Sequence, residues 1–177
     1  MLEILKDGDR RLHSPSKSVG RRITKAQQSS ISRVKKLLGN MTEAVAIAAT
    51  QVGMDIRFFV ARRSPTSMMV VIDPKVTWTS IDDSEDLLVN PDGSPFARQL
   101  PQWEECLSFP GKEFLVTRPS IIKVEFMNEK GKMKSMTLQG LDARVFLHEV
   151  DHLDGVTIDQ RCQASRDVEE DEKGMTM

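Results

Sequence analysis

The chain has 177 residues, of which 39% are hydrophobic and 29% are charged, and its formal net charge at pH 7 is -1. A chain of this length and composition is expected to form one domain with a buried core. The balanced charge argues against a broad basic surface for nucleic acid or anionic lipid, and no apolar run approaches the roughly 18 residues that predict a membrane span. The two cysteines are too few for a disulfide framework, which favours a reducing compartment.

The first predicted element is an amphipathic helix. Ser29 or Ser30 would cap its amino end, because a serine hydroxyl can accept a hydrogen bond from a free backbone N–H of the first turn. Apolar residues then recur at the helical spacing of three to four: Ile31, Val34, Leu37, Leu38 and Met41.

Strands are predicted in the middle of the chain. Short apolar runs occupy residues 57–61, 68–72 and 76–78, and two further runs, 121–127 and 133–138, flank a polar turn at 128–131 that favours a hairpin. The segment 79–103 includes several acidic residues and an Asn-Pro-Asp-Gly turn, which indicate a solvated loop. A last helix is expected from 141 to 154, closed by Gly155 in the left-handed conformation. The pattern is α+β.

The domain boundary is drawn from composition. Residues 1–164 are expected to form a single catalytic domain. Residues 165–177 are rich in acidic side chains and are expected to form a flexible tail.

The last predicted helix contains the sequence HExxH. His148 and His152 are four residues apart, so both imidazoles project from one face and can reach one metal ion, with Glu149 beside them. Apolar residues surround this helix on nearly all sides, which predicts that it is buried. Asp151 is then expected to support the site or to form an ion pair with an arginine.

A third ligand for this metal has to be found elsewhere. Only a short polar segment follows His152, and Cys106 lies upstream in the sequence Glu-Glu-Cys-Leu-Ser. Two imidazoles and one thiolate leave a coordination position free, as a catalytic site requires.

Three segments together resemble the peptide deformylase family. AVAIAATQ at 44–51 resembles that family's GxGLAAxQ, ECLS at 105–108 resembles EGCLS, and HEVDHLDG occupies 148–155. The resemblance covers about residues 1–161. It implies a peptide-deformylase-like fold in which antiparallel or mixed β-sheets pack around a buried central HExxH helix, with a helix near the amino terminus.

The resemblance also implies a function and a cofactor. The family removes the N-formyl group from the formyl-methionine of newly made polypeptides and releases formate. One divalent metal ion is implied, held by Cys106, His148 and His152. Fe²⁺ is the expected native ion, and Zn²⁺, Ni²⁺ or Co²⁺ can occupy such a site in purified protein.

Four further residues receive roles from the same resemblance. Glu149 would accept the proton of the attacking water and pass it to the departing amine. The side-chain amide of Gln51 and the backbone N–H of Leu107 would stabilise the oxyanion. Val45 would contribute to an apolar slot for the methionine side chain.

Five residues depart from the family pattern, and they leave alternatives open. Ala46 would be strained if its position needed a positive φ, and Glu105 either points to solvent or narrows the cleft and favours a basic substrate. A catalytically silent deformylase-like metal-binding protein, or a general metallopeptidase, is therefore the alternative. The departures are Ala44, Ala46, Thr50, Glu105 and Leu147.

The expected partners follow from the expected reaction. They are N-formyl-methionyl nascent peptides, with a transient ribosome contact left open, and the chain has no direct nucleic-acid motif. A monomer and a weak dimer are both compatible with the sequence. The compartment would be the cytoplasm in a bacterium, or the mitochondrial or plastid matrix in a eukaryote.

Overall fold

The computed structural model describes residues 2–64, 66–81 and 99–168, in which strands dominate. A five-stranded sheet has the order β1-β2-β3-β6-β7 and a three-stranded sheet has the order β4-β5-β8. All strand pairs are antiparallel. The strands are β1 (Ala46–Ala48), β2 (Phe58–Ser64), β3 (Ser67–Thr79), β4 (Gln99–Glu105), β5 (Lys112–Pro119), β6 (Ile121–Met127), β7 (Met133–Gln139) and β8 (Ala164–Asp167).

The helices are α1 (Lys25–Gly39), α2 (Gly140–Leu153) and the short α3 (Ile158–Arg161), and two 3₁₀ turns cover Arg10–His13 and Ala49–Val52. No helix in the described part of the chain is long and apolar enough to cross a membrane.

The helix α1 begins earlier than the sequence pattern predicted. Its amino-terminal cap is Thr24, whose hydroxyl accepts a hydrogen bond from the backbone N–H of Gln27, while the Gln27 side chain accepts one from the Thr24 N–H. The predicted caps Ser29 and Ser30 lie inside the helix, so that prediction was wrong. The error arose because the first turn is polar and adds nothing to the apolar periodicity. The Thr-x-x-Gln sequence, which is typical of a reciprocal cap, could have been recognised.

The strand predictions were correct for the hairpin and wrong in two other places. The hairpin of β6 and β7 is confirmed, with Met127 opposite Met133. Segments 68–72 and 76–78 are one strand, β3, interrupted by a register shift next to Asp73, whose φ is 49°. The loop predicted over 79–103 is corrected, because its last five residues belong to β4, whose Pro, Gln and Trp give no apolar alternation. The acidic and turn residues of that loop, 82–95, lie outside the described residues.

The expected tail also starts too early. Residues 165–167 are part of β8, which pairs with β5 through Lys112 opposite Asp167 and Leu115 opposite Ala164. Backbone pairing therefore extends beyond the expected domain boundary at 164. Residues 169–177 lie outside the described part.

The larger sheet has a helix on each face. Along β2, Phe58 and Val60 point to the cluster that contains α1, and Phe59 and Ala61 point to the cluster that contains α2. This alternation follows from the two-residue period of a strand. The sheet thus fixes where α2 lies.

The helix α2 has no exposed residue from Ala143 to Leu153, and only its first turn reaches solvent. Phe146 is 2% exposed and packs edge to face on Phe59, with ring centroids 5.2 Å apart. By contrast, Leu141 is 67% exposed, and it lines a cleft together with the half-buried Val145. The prediction that the helix is buried is therefore confirmed from Ala143 onward, and the exception is its first turn, where Leu141 lies at the cleft. The prediction that Gly155 ends this helix in the left-handed conformation is confirmed, since its φ is 75°.

Truncating Phe146 tests this packing. Phe146→Ala should lower the free energy of unfolding by about 3–5 kcal/mol, because it leaves a cavity between α2 and the sheet. Urea denaturation measures the change. Leu141→Ala on the same helix is the control and should change stability by less than about 0.5 kcal/mol. Equal losses for the two variants would contradict this packing.

Candidate active site

Three potential metal ligands meet at one point. Cys106 follows the end of β4, and His148 and His152 lie one turn apart on α2. Their ligand atoms all lie within 4.8 Å of one another, and Cys106 Sγ is 3.2 Å from His152 Nε2. The structure thus brings together the three residues that the sequence singled out.

The spacing of these atoms fits one metal ion. A tetrahedral ion with a sulfur ligand at about 2.3 Å and nitrogen ligands at about 2.0–2.1 Å separates sulfur and nitrogen by about 3.6 Å. Cys106 is 5% exposed and His152 is 1% exposed, so these two residues would shield a bound ion from solvent on their side. The thiolate and imidazole donors are those that bind first-row transition ions.

Glu149 is buried beside this group. It is 4% exposed, and its Oε2 atom has no hydrogen-bond partner among the described residues. Burial raises the pKa of Glu149 to about 7, against the opposing effects of the charges on His148 and Arg118. A carboxyl group with such a pKa can take up and release a proton near neutral pH.

Glu104 orients His148, and sequence reasoning had missed it. Its carboxylate accepts hydrogen bonds from His148 Nδ1 at 3.0 Å and from Arg118 Nε at 2.7 Å, and it also accepts one from Arg144. Burial by itself would raise the pKa of Glu104, but the hydrogen bonds from His148 and Arg118 lower it to about 2. An ionised carboxylate can only accept hydrogen bonds, so the Nδ1 atom of His148 must carry the proton in this contact. The lone pair on Nε2 of His148 is then left for a metal.

Arg118 links Glu104 to a second buried carboxylate. Its Nη1 atom donates to Asp151 at 2.8 Å, and Arg161 donates to the same side chain at 2.8 Å. The prediction that Asp151 pairs with an arginine is confirmed. Glu104 could have been found in the sequence, because strand alternation puts it on the same side as Cys106, but nothing in the sequence identified Arg118.

The charges around the histidines favour a cation. Burial opposes a positive charge on His148, yet hydrogen bonds to Cys106 and Glu104 raise its pKa to about 10. Burial and the positive charge of His148 lower the pKa of His152 well below its usual value. The negative groups that hold a proton on His148 would equally attract a metal ion.

Gln51 and Leu107 present polar hydrogens near Cys106. Gln51 is 1% exposed; its side-chain oxygen accepts from the Ala48 N–H at 3.0 Å, and its Nε2 atom lies 3.7 Å from Cys106 Sγ. The carbonyl of Cys106 accepts from the Phe109 N–H at 2.9 Å. The N–H of Leu107 belongs to the same trans peptide and therefore points the opposite way.

A cleft of about 960 Å³ opens over these groups. One wall includes Val45, which is 48% exposed, at the entrance to β1, and another is formed by β4 and the turn that follows it. Both β1 and β4 are edge strands within the described part of the chain. Arg62 holds the first wall, because its guanidinium donates to the carbonyls of Leu38, Met41 and Ala44.

The departures from the family pattern fit this structure. The only described non-glycine residue with positive φ is Asp73, so the strain considered for Ala46 is absent. The Thr50 hydroxyl donates to the His152 carbonyl at 3.0 Å, which ties the turn after β1 to α2.

Leu147 is half-buried and packs against the α2 side of the core. Glu105 is exposed and lines the cleft, so its side chain reaches solvent at the cleft wall.

Comparison with known proteins agrees with the geometry. The sequence model of the family described as "Polypeptide deformylase" matches residues 1–167. A peptide deformylase of Prochlorococcus marinus is 34% identical over 173 residues, which is 94% of this chain and 76% of that protein.

Solved structures show the same fold. A probable peptide deformylase from Synechococcus phage S-SSM7 matches with a TM-score of 0.74 and 31% identity, covering 91% of this chain and 99% of that one. A peptide deformylase from Synechococcus elongatus in complex with actinonin matches with a TM-score of 0.75 and 28% identity, covering 92% of this chain and 79% of that one. The expected fold is confirmed. The chain is a hydrolase that belongs to the peptide deformylase family, which removes the formyl group from nascent polypeptides.

Proposed function

We propose that Cys106, His148 and His152 hold one divalent ion and that Glu149 moves the proton when the formyl group of an N-formyl-methionyl chain is hydrolysed. The observation that most strongly supports this assignment is the unpartnered, buried Oε2 atom of Glu149 beside the converging sulfur and nitrogen atoms. A buried carboxylate oxygen without a partner is costly, and a water molecule at the reaction centre would satisfy it.

The proposed native ion is Fe²⁺. When bound, such an ion lowers the pKa of water to about 7 and polarises the formyl oxygen. One thiolate and two imidazoles also accept Zn²⁺, Ni²⁺ or Co²⁺.

The free edges of β1 and β4 provide a place for an extended substrate. A peptide backbone between them can pair with either edge, as extended ligands often do with exposed strands. Val45, on the wall at β1, would contact the methionine side chain. The formyl group would then lie at the floor of the cleft, next to Cys106 and Glu149.

The chain's own groups account for the proton movements. As water adds to the formyl carbon, Glu149 accepts a proton from it, and the carbonyl oxygen becomes an oxyanion. The Gln51 side-chain N–H and the Leu107 backbone N–H would donate to this oxyanion, and one such donor is typically worth about 3–4 kcal/mol in the transition state. The carbon–nitrogen bond then breaks, Glu149 returns the proton to the amine, and formate and a free amino terminus result.

The setting of this activity follows from its substrate. The enzyme would act where formylated chains are synthesised, which is the cytoplasm in a bacterium, either as a monomer or as a weak dimer. A transient contact with the ribosome would bring it to the emerging amino terminus.

The first test measures formate released from a formyl-methionyl tripeptide by iron-loaded protein without oxygen. Formate should appear, and the unformylated twin should not be cleaved. Glu149→Gln should retain the metal and lose at least about a hundredfold in rate, because proton transfer is removed. Glu129→Gln, on the β6–β7 turn, is the matched control and should keep the full rate.

Two results would contradict this proposal. Cleavage of the unformylated twin would indicate a general metallopeptidase. Metal binding without formate release would indicate a catalytically silent family member.

A second test concerns Glu104. Glu104→Gln should weaken metal binding by about 10–100-fold, because His148 loses the carboxylate that orients its ring. Competition with a chelator, followed by metal analysis of the protein, measures the affinity. Glu129→Gln again serves as the control. Unchanged affinity in a folded Glu104→Gln protein would exclude this role.

A further inference from the structure

We infer that Glu105 makes the enzyme prefer newly made chains with a lysine or arginine shortly after the formyl-methionine. This inference rests on the function proposed above. It concerns the side chains that follow the methionine, and it arises from a residue at which this chain departs from the family pattern.

Strand alternation separates the side chains of β4 into two sets. Glu104 points inward to the arginines and His148, whereas Trp103 and Glu105 are exposed on the other side, and all three line the cleft. A substrate strand that pairs with the free edge of β4 has the same two-residue period. Its alternate side chains would therefore lie beside Trp103 and Glu105.

The ion pair beside Glu105 does not include its carboxylate. Glu113 lies directly opposite Glu105 on β5. Its carboxylate is paired with Arg166, which donates a hydrogen bond to it at 2.7 Å. The Arg166 guanidinium also lies over the Trp103 ring, 4.1 Å from the centroid. Among the described residues, Glu105 has no ion-pair partner.

With Glu105 included, the exposed positions of the cleft lining carry two carboxylates and one ammonium group. Glu43 lines the cleft, is exposed, and has no ion-pair partner in the described ranges. Lys6 is the exposed cation of the lining, and its ammonium group donates to the Leu107 carbonyl at 2.9 Å. A cationic substrate side chain beside Glu105 would thus be attracted by its carboxylate, and an acidic one would be repelled.

The expected preference is moderate. Opposite charges on neighbouring strands attract and like charges repel, but exposed pairs are weakened by water and salt. The ratio of kcat/KM between a lysine peptide and a glutamate peptide should be about five to ten at low salt. It should approach one in about 0.5 M salt.

The experiment compares formyl-methionyl peptides that differ at one position. Lysine, glutamine or glutamate is placed at the second or the third residue, and kcat/KM is measured from formate release. Glu105→Gln should reduce the lysine-to-glutamate ratio by about threefold. Glu125→Gln, an exposed change of equal charge on β6, is the control and should leave the ratio unchanged.

A binding measurement provides a second readout. Unformylated Met-Lys and Met-Glu peptides, which resemble the product, should inhibit with different constants, and Glu105→Gln should reduce that difference. Formate release without a charge preference, or a preference that Glu105→Gln leaves intact, would overturn the inference alone. No formate from any peptide, the glutamine series included, would overturn the proposed function and the inference together.

Discussion

The buried carboxylate of Glu104 joins the two sheets of this protein through α2. It lies on β4 of the smaller sheet and accepts hydrogen bonds from Arg118 on β5 and from Arg144 and His148 on α2. A charge removed from water is stable only when it is paired and hydrogen-bonded, and loss of one partner leaves the others uncompensated. The position of the smaller sheet is therefore tied to the orientation of an imidazole at the reaction centre.

The same constraint determines the chemistry of Glu149. Glu104 and Glu149 are both buried carboxyl groups, but the pKa of Glu104 is lowered to about 2 by its cationic neighbours and that of Glu149 is raised to about 7 by burial. Two like groups thus receive different tasks. One remains ionised and holds a ring in place, and the other can exchange a proton.

The sequence predicted the cluster of Cys106, His148 and His152 better than it predicted the bounds of the elements around it. HExxH specifies two ligands by helical geometry, and Cys106 was found because few residues follow His152. The α1 cap at Thr24 and the strand β4 were missed because neither produces apolar periodicity. The partners of Glu104 could not be predicted, because Arg118 and Arg144 are distant in sequence and surface arginines look the same in a sequence as buried ones. Tertiary packing alone distinguishes them.

The division of β4 into an inward and an outward row has an evolutionary consequence. Glu104, which holds the His148 ring, points into the protein, and Trp103 and Glu105 are exposed on the other side of the same strand. Under the charge preference proposed above, mutations in the outward row would alter which proteins are processed fastest while the inward residues are inherited unchanged. A single exposed position would then be enough to adjust the enzyme to a different set of amino-terminal sequences.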